Sequence, residues 1–197
     1  MLISKYGNGS TKLVDEFENK NGIELDEQYR SFLVNYNGGD TPKTMVRINS
    51  ISSDLRYLFG IGAENDIEDY MQSLKWENKQ CLPIGADSFG NYYVIAISDE
   101  NKGVIYFSDH EKGFGLTKIA DSFSKFLAKC KSDPINPRSQ RSPEEREAEL
   151  IAKGKADNIT EGLRDMWKQE YEKYKDINQE EVILNSFSSV DNHCIFD

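Results

Sequence analysis

The densest set of chemically versatile side chains lies in the run SDHEKG, residues 108–113. Asp109, His110 and Glu111 are all residue types that bind metal ions. Adjacent strand residues point to opposite faces, so only Asp109 and Glu111 converge there unless the chain bends. The run is also typical of a turn at a strand end, in which Asp109 bonds to the backbone and His110 is exposed. That turn needs no metal ion, and we predict no cofactor.

Asp87 is a second candidate for chemistry, because it precedes the glycine-containing run SFGN at residues 88–91. A carboxylate near a glycine turn is one arrangement of a catalytic acid. An aspartate there also stabilises the turn itself through hydrogen bonds to the backbone. One hypothesis is therefore a hydrolase that uses Asp87, Asp109 and His110, and the other is a structural turn.

A cluster of carboxylates is formed by Glu64, Asp66, Glu68 and Asp69, with no lysine or arginine between residues 57 and 74. Acidic residues suit the start of a helix, because they interact favourably with its dipole. The same cluster would also suit docking of a basic protein surface. Both interpretations stay open at this point.

A pair of glycines lies in NYNGGDTPKT, residues 35–44. Glycine loops hold phosphate when a strand leads in and a helix follows, but here a helical pattern leads in. We predict that Asn37, Gly38 and Gly39 end that helix with positive φ at glycine, and that Pro42 prevents it from resuming. A phosphate at this corner would meet the negative end of the helix dipole.

Composition narrows the class of protein. The chain has 197 residues, 38% hydrophobic and 29% charged, with a formal net charge of -10. That charge argues against a nucleic-acid binder and favours a basic partner. No apolar run approaches the roughly 18 residues of a membrane span, and the N-terminus lacks a signal-peptide pattern, so we expect a cytoplasmic protein. Cys81, Cys130 and Cys194 have no disulfide or metal spacing, and we expect the first two to be packed thiols.

The hydrophobic pattern predicts an α+β fold. Helical spacing predicts short helices within residues 11–22, 26–36, 65–76 and 119–130, the last of them capped by Asp121 or Ser122. Runs of β-branched and aromatic residues predict strands at 81–87, 91–98 and 103–109, and two strands or a strand and an irregular edge at 45–51 and 55–62. The first three are separated by turn sequences and predict an antiparallel meander.

The three prolines of residues 133–143 predict a linker between a main domain, residues 1–132, and a helical extension, residues 144–197. Ser142 and Pro143 mark the start of one helix in the extension. A second helix is expected to begin at Asn158 or Thr160 and to align an apolar stripe, which consists of Leu163, Met166, Trp167, Tyr171 and Tyr174. We expect the stripe to pack back onto the main domain, with a partner or a second copy as the alternative. Residues 185–197, which include His193, have no assignable pattern.

The order of five segments resembles the SUKH superfamily of Smi/Knr-type domains. These segments are LDEQYRSFLVNYNGG, LFGIG, CLPIGADSFGNYYVIAIS, GVIYFSDHE and IADSFSKFL. The resemblance covers about residues 13–131, and its most specific parts are Tyr29–Gly39, Pro83–Asn91 and Asp109–Glu111. Family members commonly have Leu-Pro at the start of the second helix, where this chain has Leu25-Asp26. Aspartate is also a good N-cap, so the helix is still expected.

The resemblance implies an α+β fold with a curved, mainly antiparallel sheet backed by helices, and no catalytic residues. Bacterial members typically neutralise a toxin, often a nuclease, whereas fungal relatives are regulatory interaction modules. We therefore expect an immunity protein that binds a cognate toxin with a basic substrate groove and blocks its active site, as a monomer or homodimer, without direct binding to nucleic acid or membrane. The alternative is a regulatory interaction module without a toxin partner. The residues assigned to partner binding are Glu64, Asp66, Glu68, Asp69, Asp87, Asp109 and Glu111. The residues assigned to the structural motif are Tyr29, Asn37, Gly38, Gly39, Pro83, Gly85, Gly90 and Asn91.

Overall fold

The computed structural model describes residues 1–48, 51–73 and 80–184. Its helices are α1 (Thr11–Asn21), α2 (Glu27–Tyr36), α3 (Ile67–Ser73), α4 (Phe123–Lys129), α5 (Pro143–Ala152) and α6 (Glu161–Tyr174). Its strands are β1 (Leu2–Lys5), β2 (Gly39–Ile48), β3 (Ile51–Leu58), β4 (Cys81–Ala86), β5 (Tyr92–Ala96), β6 (Ile105–Asp109), β7 (Gly115–Ala120), β8 (Cys130–Ser132) and β9 (Glu180–Glu181). The predicted end of the third helix at residues 74–76, the strand residues 49–50 and the C-terminal residues 185–197, with His193 and Cys194, lie outside the described residues.

The strands form one antiparallel sheet in the order β7-β6-β5-β4-β3-β2-β1-β9, and β8 pairs with β2 as well. The predicted meander of β4, β5 and β6 is confirmed, and it continues into β3 on one side and β7 on the other. Register shifts interrupt the β2–β3, β4–β5 and β6–β7 pairings. Such irregularities bend a sheet. Antiparallel strands together with helices confirm the predicted α+β class.

The start of α2 is fixed by the predicted cap. The Asp26 carboxylate accepts hydrogen bonds from the backbone N–H groups of Gln28 and Tyr29, at 3.0 and 3.3 Å. Tyr29 is fully buried, and its ring meets that of Phe123 in α4 edge to face, with centroids 5.2 Å apart. These contacts place α2 and α4 side by side.

The two helices cover one face of the sheet. Tyr93 of β5 points into the core, where its ring centroid lies 5.3 Å from that of Phe126 in α4 and 5.4 Å from that of Phe107 in β6. Cys130, at the end of α4, is buried, and burial raises the pKa of its thiol to about 12. A thiol with such a pKa stays protonated at neutral pH, as expected for a packed side chain.

The glycine corner differs in detail from the prediction. Asn37 itself takes the left-handed conformation at the end of α2, with φ 46°, and Gly38 follows with φ 78°. Gly39 is already the first residue of β2. A Cβ atom at Gly38 would lie 2.7 Å from the Leu58 carbonyl oxygen, and one at Gly39 would lie 2.5 Å from the Ser4 carbonyl oxygen. Because Gly38 and Gly39 have no Cβ atom, neighbouring backbone can lie close to them. Asn37 ends the helix, since asparagine tolerates the left-handed conformation.

The segment 133–143 contains a 3-10 helix at Pro137–Gln140 that packs against α6. Glu170 of α6 accepts hydrogen bonds from the hydroxyl of Ser139 and from the guanidinium of Arg146, both at 2.7 Å. Both hydrogen bonds lower the pKa of Glu170, and the bond from Ser139 has the larger effect. Arg146 is 2% exposed, so this ion pair ties α5 to α6 inside the extension.

The extension also joins the main sheet. β9 pairs with β1, and the Tyr36 hydroxyl accepts a hydrogen bond from the backbone N–H of Ile183 at 2.8 Å. Trp167 and Tyr174 are buried, but Met166 is 54% exposed, so its place in the predicted stripe is wrong. Met166 precedes Trp167 by one residue, which turns it by about 100° around a helix of 3.6 residues per turn. Within the described residues, no helix has both the length and the apolar character of a membrane span.

Candidate partner-binding surface

Asp87 is fully engaged in holding the β4–β5 turn. Its carboxylate accepts hydrogen bonds from the Ser53 hydroxyl at 2.6 Å, the Phe89 backbone N–H at 2.9 Å, and the backbone and side-chain N–H groups of Asn91 at 2.8 and 2.7 Å. Asp87 is 4% exposed. A buried carboxylate with four donors stabilises the turn, and the predicted turn role of Asp87 is confirmed.

Asn91 connects this turn to the β6–β7 turn. Its side-chain oxygen accepts a hydrogen bond from the backbone N–H of His110 at 3.0 Å and lies 2.8 Å from Nδ1 of the same residue. Because the Asn91 amide nitrogen donates to Asp87, the oxygen faces His110, and Nδ1 must carry the proton in this contact. The structure therefore joins Asp87 and His110 through Asn91, in an arrangement that orients two turns.

The run at residues 109–111 forms a turn. Asp109 accepts hydrogen bonds from the Glu111 backbone N–H at 3.0 Å and from the Lys112 ammonium group at 2.8 Å. The bond from Lys112 is the main cause that lowers the pKa of Asp109. His110 and Glu111 are exposed at the start of the 3-10 helix His110–Lys112. Across the three described segments, no three side chains of metal-ligand type are grouped to hold an ion.

The four acidic residues near α3 have different surroundings. Glu68 forms an ion pair with Lys20 at 2.6 Å, and that hydrogen bond is the main cause that lowers its pKa. Asp66 accepts a hydrogen bond from the Glu68 backbone N–H at 3.0 Å, which supports the first turn of α3. Glu64 and Asp69 are exposed. Two of the four carboxylates thus support local structure, and two face solvent.

The remaining motif residues shape the same end of the sheet. Pro83 and Gly85 flank the β4–β5 register shift, and a Cβ atom at Gly85 would lie 2.7 Å from the Tyr57 carbonyl oxygen. Gly90 lies in the turn between Asp87 and Asn91. Gly85 therefore lets the backbone of β3 approach β4 closely.

The sequence interpretation missed Phe89, which is 67% exposed at the tip of the β4–β5 turn. It lines an open pocket of about 330 Å³ together with Ser53, Thr117, His110 and Glu111. A phenylalanine inside a run of turn residues was the available signal, since such positions are usually polar. The lining also contains Asp109 and Lys112, and the hydroxyl of Ser53 donates to the buried Asp87 carboxylate.

Comparison with protein families matches residues 9–129 to the model described as the SMI1 / KNR4 family (SUKH-1). The matched range contains α1 to α4, β2 to β7 and the hydrogen bonds that join the β4–β5 and β6–β7 turns. It ends before the extension. No curated protein matches the sequence. Because the matched range is more than half of the 197 residues, the chain belongs to the SMI1/KNR4 family, SUKH-1.

Proposed function

We propose that this protein is a non-enzymatic immunity protein that binds a cognate bacterial toxin in the cytoplasm and blocks its active site. SUKH domains are generally immunity domains of this kind. One observation carries the proposal: the residues that could do chemistry, Asp87 and His110, are used to hold two turns together through Asn91. Their side chains orient a surface, which is what a binding protein requires.

Charge supports a toxin with a basic substrate groove, such as a nuclease. The chain carries a net charge of -10, and Glu64, Asp69 and Glu111 present exposed carboxylates. Complementary charge steers two proteins together and raises the association rate. An acidic inhibitor would also compete with the phosphates of the toxin's substrate.

Co-expression tests the proposal. The proposal predicts that a neighbouring gene encodes the toxin. That toxin domain is expressed in a sensitive host, with and without the full chain, and growth is measured. We expect the full chain to restore growth because it binds and blocks the toxin. Killing that continues at full strength would contradict the proposal. Recovery of several unrelated host proteins with the chain would instead favour a regulatory interaction module. A hydrolytic activity lost in His110→Ala would favour an enzyme.

A further inference from the structure

A continuous set of aromatic rings crosses one end of the sheet. We call this set the aromatic band; it consists of Tyr57, Phe59, Tyr70, Tyr92 and Phe114. Phe59 and Tyr70 stack with ring centroids 3.9 Å apart. The ring centroid of Tyr92 lies 6.0 Å from that of Tyr70 and 6.1 Å from that of Phe114. The band therefore runs without a break from α3 to the residue before β7.

The band lies on the sheet face opposite to α4. In the register, Tyr57 pairs with Ala86, and Ala86 pairs with Tyr92. Directly paired residues share a face, and successive residues of a strand alternate between faces. Since Tyr93 contacts α4, Tyr92 must point the other way. Tyr57, Tyr70 and Tyr92 are half-buried on this face, so each offers part of its ring to solvent.

Phe114 is the most exposed ring of the band. It is 43% exposed and has φ 60°, a conformation that is unusual for a bulky residue. Its backbone N–H donates to the Asp109 carbonyl oxygen at 2.8 Å, and its own carbonyl oxygen accepts from the Ser108 hydroxyl at 3.2 Å. The turn therefore holds a large apolar side chain outward at a cost in backbone strain. Strained residues of this kind cluster at functional sites.

Exposed carboxylates lie close in the sequence to both ends of the band. Asp69 directly precedes Tyr70, Glu64 lies six residues before Tyr70, and Glu111 lies three residues before Phe114. Among the described residues, none of these three acids forms a salt bridge. The band already holds one guanidinium, since Arg56 lies 5.5 Å from the Tyr57 ring centroid. Aromatic faces attract cations, and arginine stacks on them while pairing with carboxylates.

We propose that the aromatic band and its carboxylates are the surface that docks the toxin, and that the toxin contributes a basic face with arginine or lysine side chains. Phe114 and Tyr92 are the aromatic anchors, and Asp69 and Glu111 form the charged rim. Binding hot spots have this form, with aromatic anchors at the centre and polar groups around them. This inference rests on the proposed function and adds the location of the contact and the chemistry of the partner.

The substitution Phe114→Gly tests the most exposed anchor of the surface in the full chain. Glycine adopts positive φ without strain, so we expect the variant to fold with an unchanged or higher thermal midpoint. Affinity for the toxin domain encoded next to the gene, measured by titration calorimetry, is expected to fall at least tenfold. Ile151→Ala is the matched control, because Ile151 is an apolar side chain, 55% exposed, on α5. We expect Ile151→Ala to bind like the wild type.

The possible results separate the location of the docking surface from the proposed function. If the wild-type chain binds and Phe114→Gly keeps its affinity within tenfold, the aromatic band is not the docking surface, while the proposed function stands. If the wild-type chain does not bind this toxin, both proposals fall. If Ile151→Ala loses as much affinity as Phe114→Gly, the loss is not specific to the band, and the location is wrong.

Salt dependence tests the chemistry of the partner. Salt screens exposed charges, so wild-type affinity should fall as the salt concentration rises from 50 to about 300 mM. The double variant Asp69→Asn, Glu111→Gln should bind more weakly at low salt and respond less to added salt. If the double variant responds to salt like the wild type, the proposal that the partner presents a basic face is wrong.

Discussion

Replacement of Asp87 by alanine separates a structural carboxylate from a catalytic one. The substitution leaves the donors of Ser53 and Asn91 without their acceptor, and both residues are less than a tenth exposed. A buried donor without a partner costs about 1–3 kcal/mol. The Phe89 N–H lies at the exposed tip of the turn and can bond to water. Allowing for relaxation of the three buried donors, we expect a loss of about 3–5 kcal/mol in the free energy of unfolding.

Urea denaturation followed by circular dichroism measures this loss. With a slope of about 2 kcal/mol/M, the midpoint should fall by roughly 1.5–2.5 M. Asp87→Asn keeps one acceptor oxygen but places an amide against donors, so it should lose about 1–2 kcal/mol. Asp99→Ala is the control, because Asp99 is an exposed aspartate in the β5–β6 turn. Its midpoint should stay within about 0.3 M of the wild type.

A wild-type midpoint for Asp87→Ala would refute the role of Asp87 in the turn. A hydrolase that uses Asp87 would show a different pattern, in which the variant stays folded and loses activity. The order of midpoints Asp99→Ala, Asp87→Asn, Asp87→Ala, from highest to lowest, is therefore the diagnostic result.

Four further tests examine other parts of the structure. Tyr29→Phe removes a buried hydroxyl that has no hydrogen-bond partner among the described residues, so the free energy of unfolding should not fall and should rise by up to about 1 kcal/mol. Tyr93→Phe removes the 2.9 Å hydrogen bond from the Tyr93 hydroxyl to the Asp54 carbonyl oxygen, so the free energy of unfolding should fall by about 1 kcal/mol in the same urea assay. The folded-state pKa of Glu170 lies below its ordinary value of 4.5, so the stabilisation that ionised Glu170 contributes is complete above pH 4.5 and is lost as the pH falls through the folded pKa. Glu170→Gln should therefore flatten the acid side of the plot of unfolding free energy against pH. A plot with the wild-type shape would contradict the role of the Glu170 carboxylate. A chain ending at Ser132 should fold but melt roughly 4–8 °C lower, because it loses the β9–β1 pairing and its neighbouring hydrogen bonds, worth about 2 kcal/mol. In the full chain, with the other tryptophan replaced by phenylalanine, Trp167 should resist quenching by iodide because it is 4% exposed; free quenching would contradict its packing.

Elements with a local signal could be predicted from the sequence. α2 needs only Asp26 at its start and a left-handed residue at its end, both visible within twelve residues. The meander of β4, β5 and β6 follows from three apolar runs and two turn sequences. β1 and β9 were not predicted, because four and two residues are too short to show an alternating pattern. Their pairing joins residues near the two ends of the chain, which no local rule encodes.

The candidate surface shows the same division. The turn role of Asp87 depends on Phe89 and Asn91, which are close in the sequence, and it was predicted. The contribution of Ser53 comes from β3, 34 residues away, and depends on the register of two strand pairings. The aromatic band could not be predicted for the same reason, because Tyr92 meets Tyr70 only after α3 folds over the sheet. The division of the chain at residues 133–143 stays a prediction.

The most direct test of the proposed function is a stoichiometric titration of toxin activity. The purified toxin domain encoded next to the gene is held at a concentration well above the dissociation constant, and the full chain is added in steps while the toxin's catalytic rate is measured. If the protein is an immunity protein that blocks the active site, the rate falls linearly and reaches zero near one equivalent. A rate that stays at its starting value with the chain in tenfold excess would contradict the proposed function.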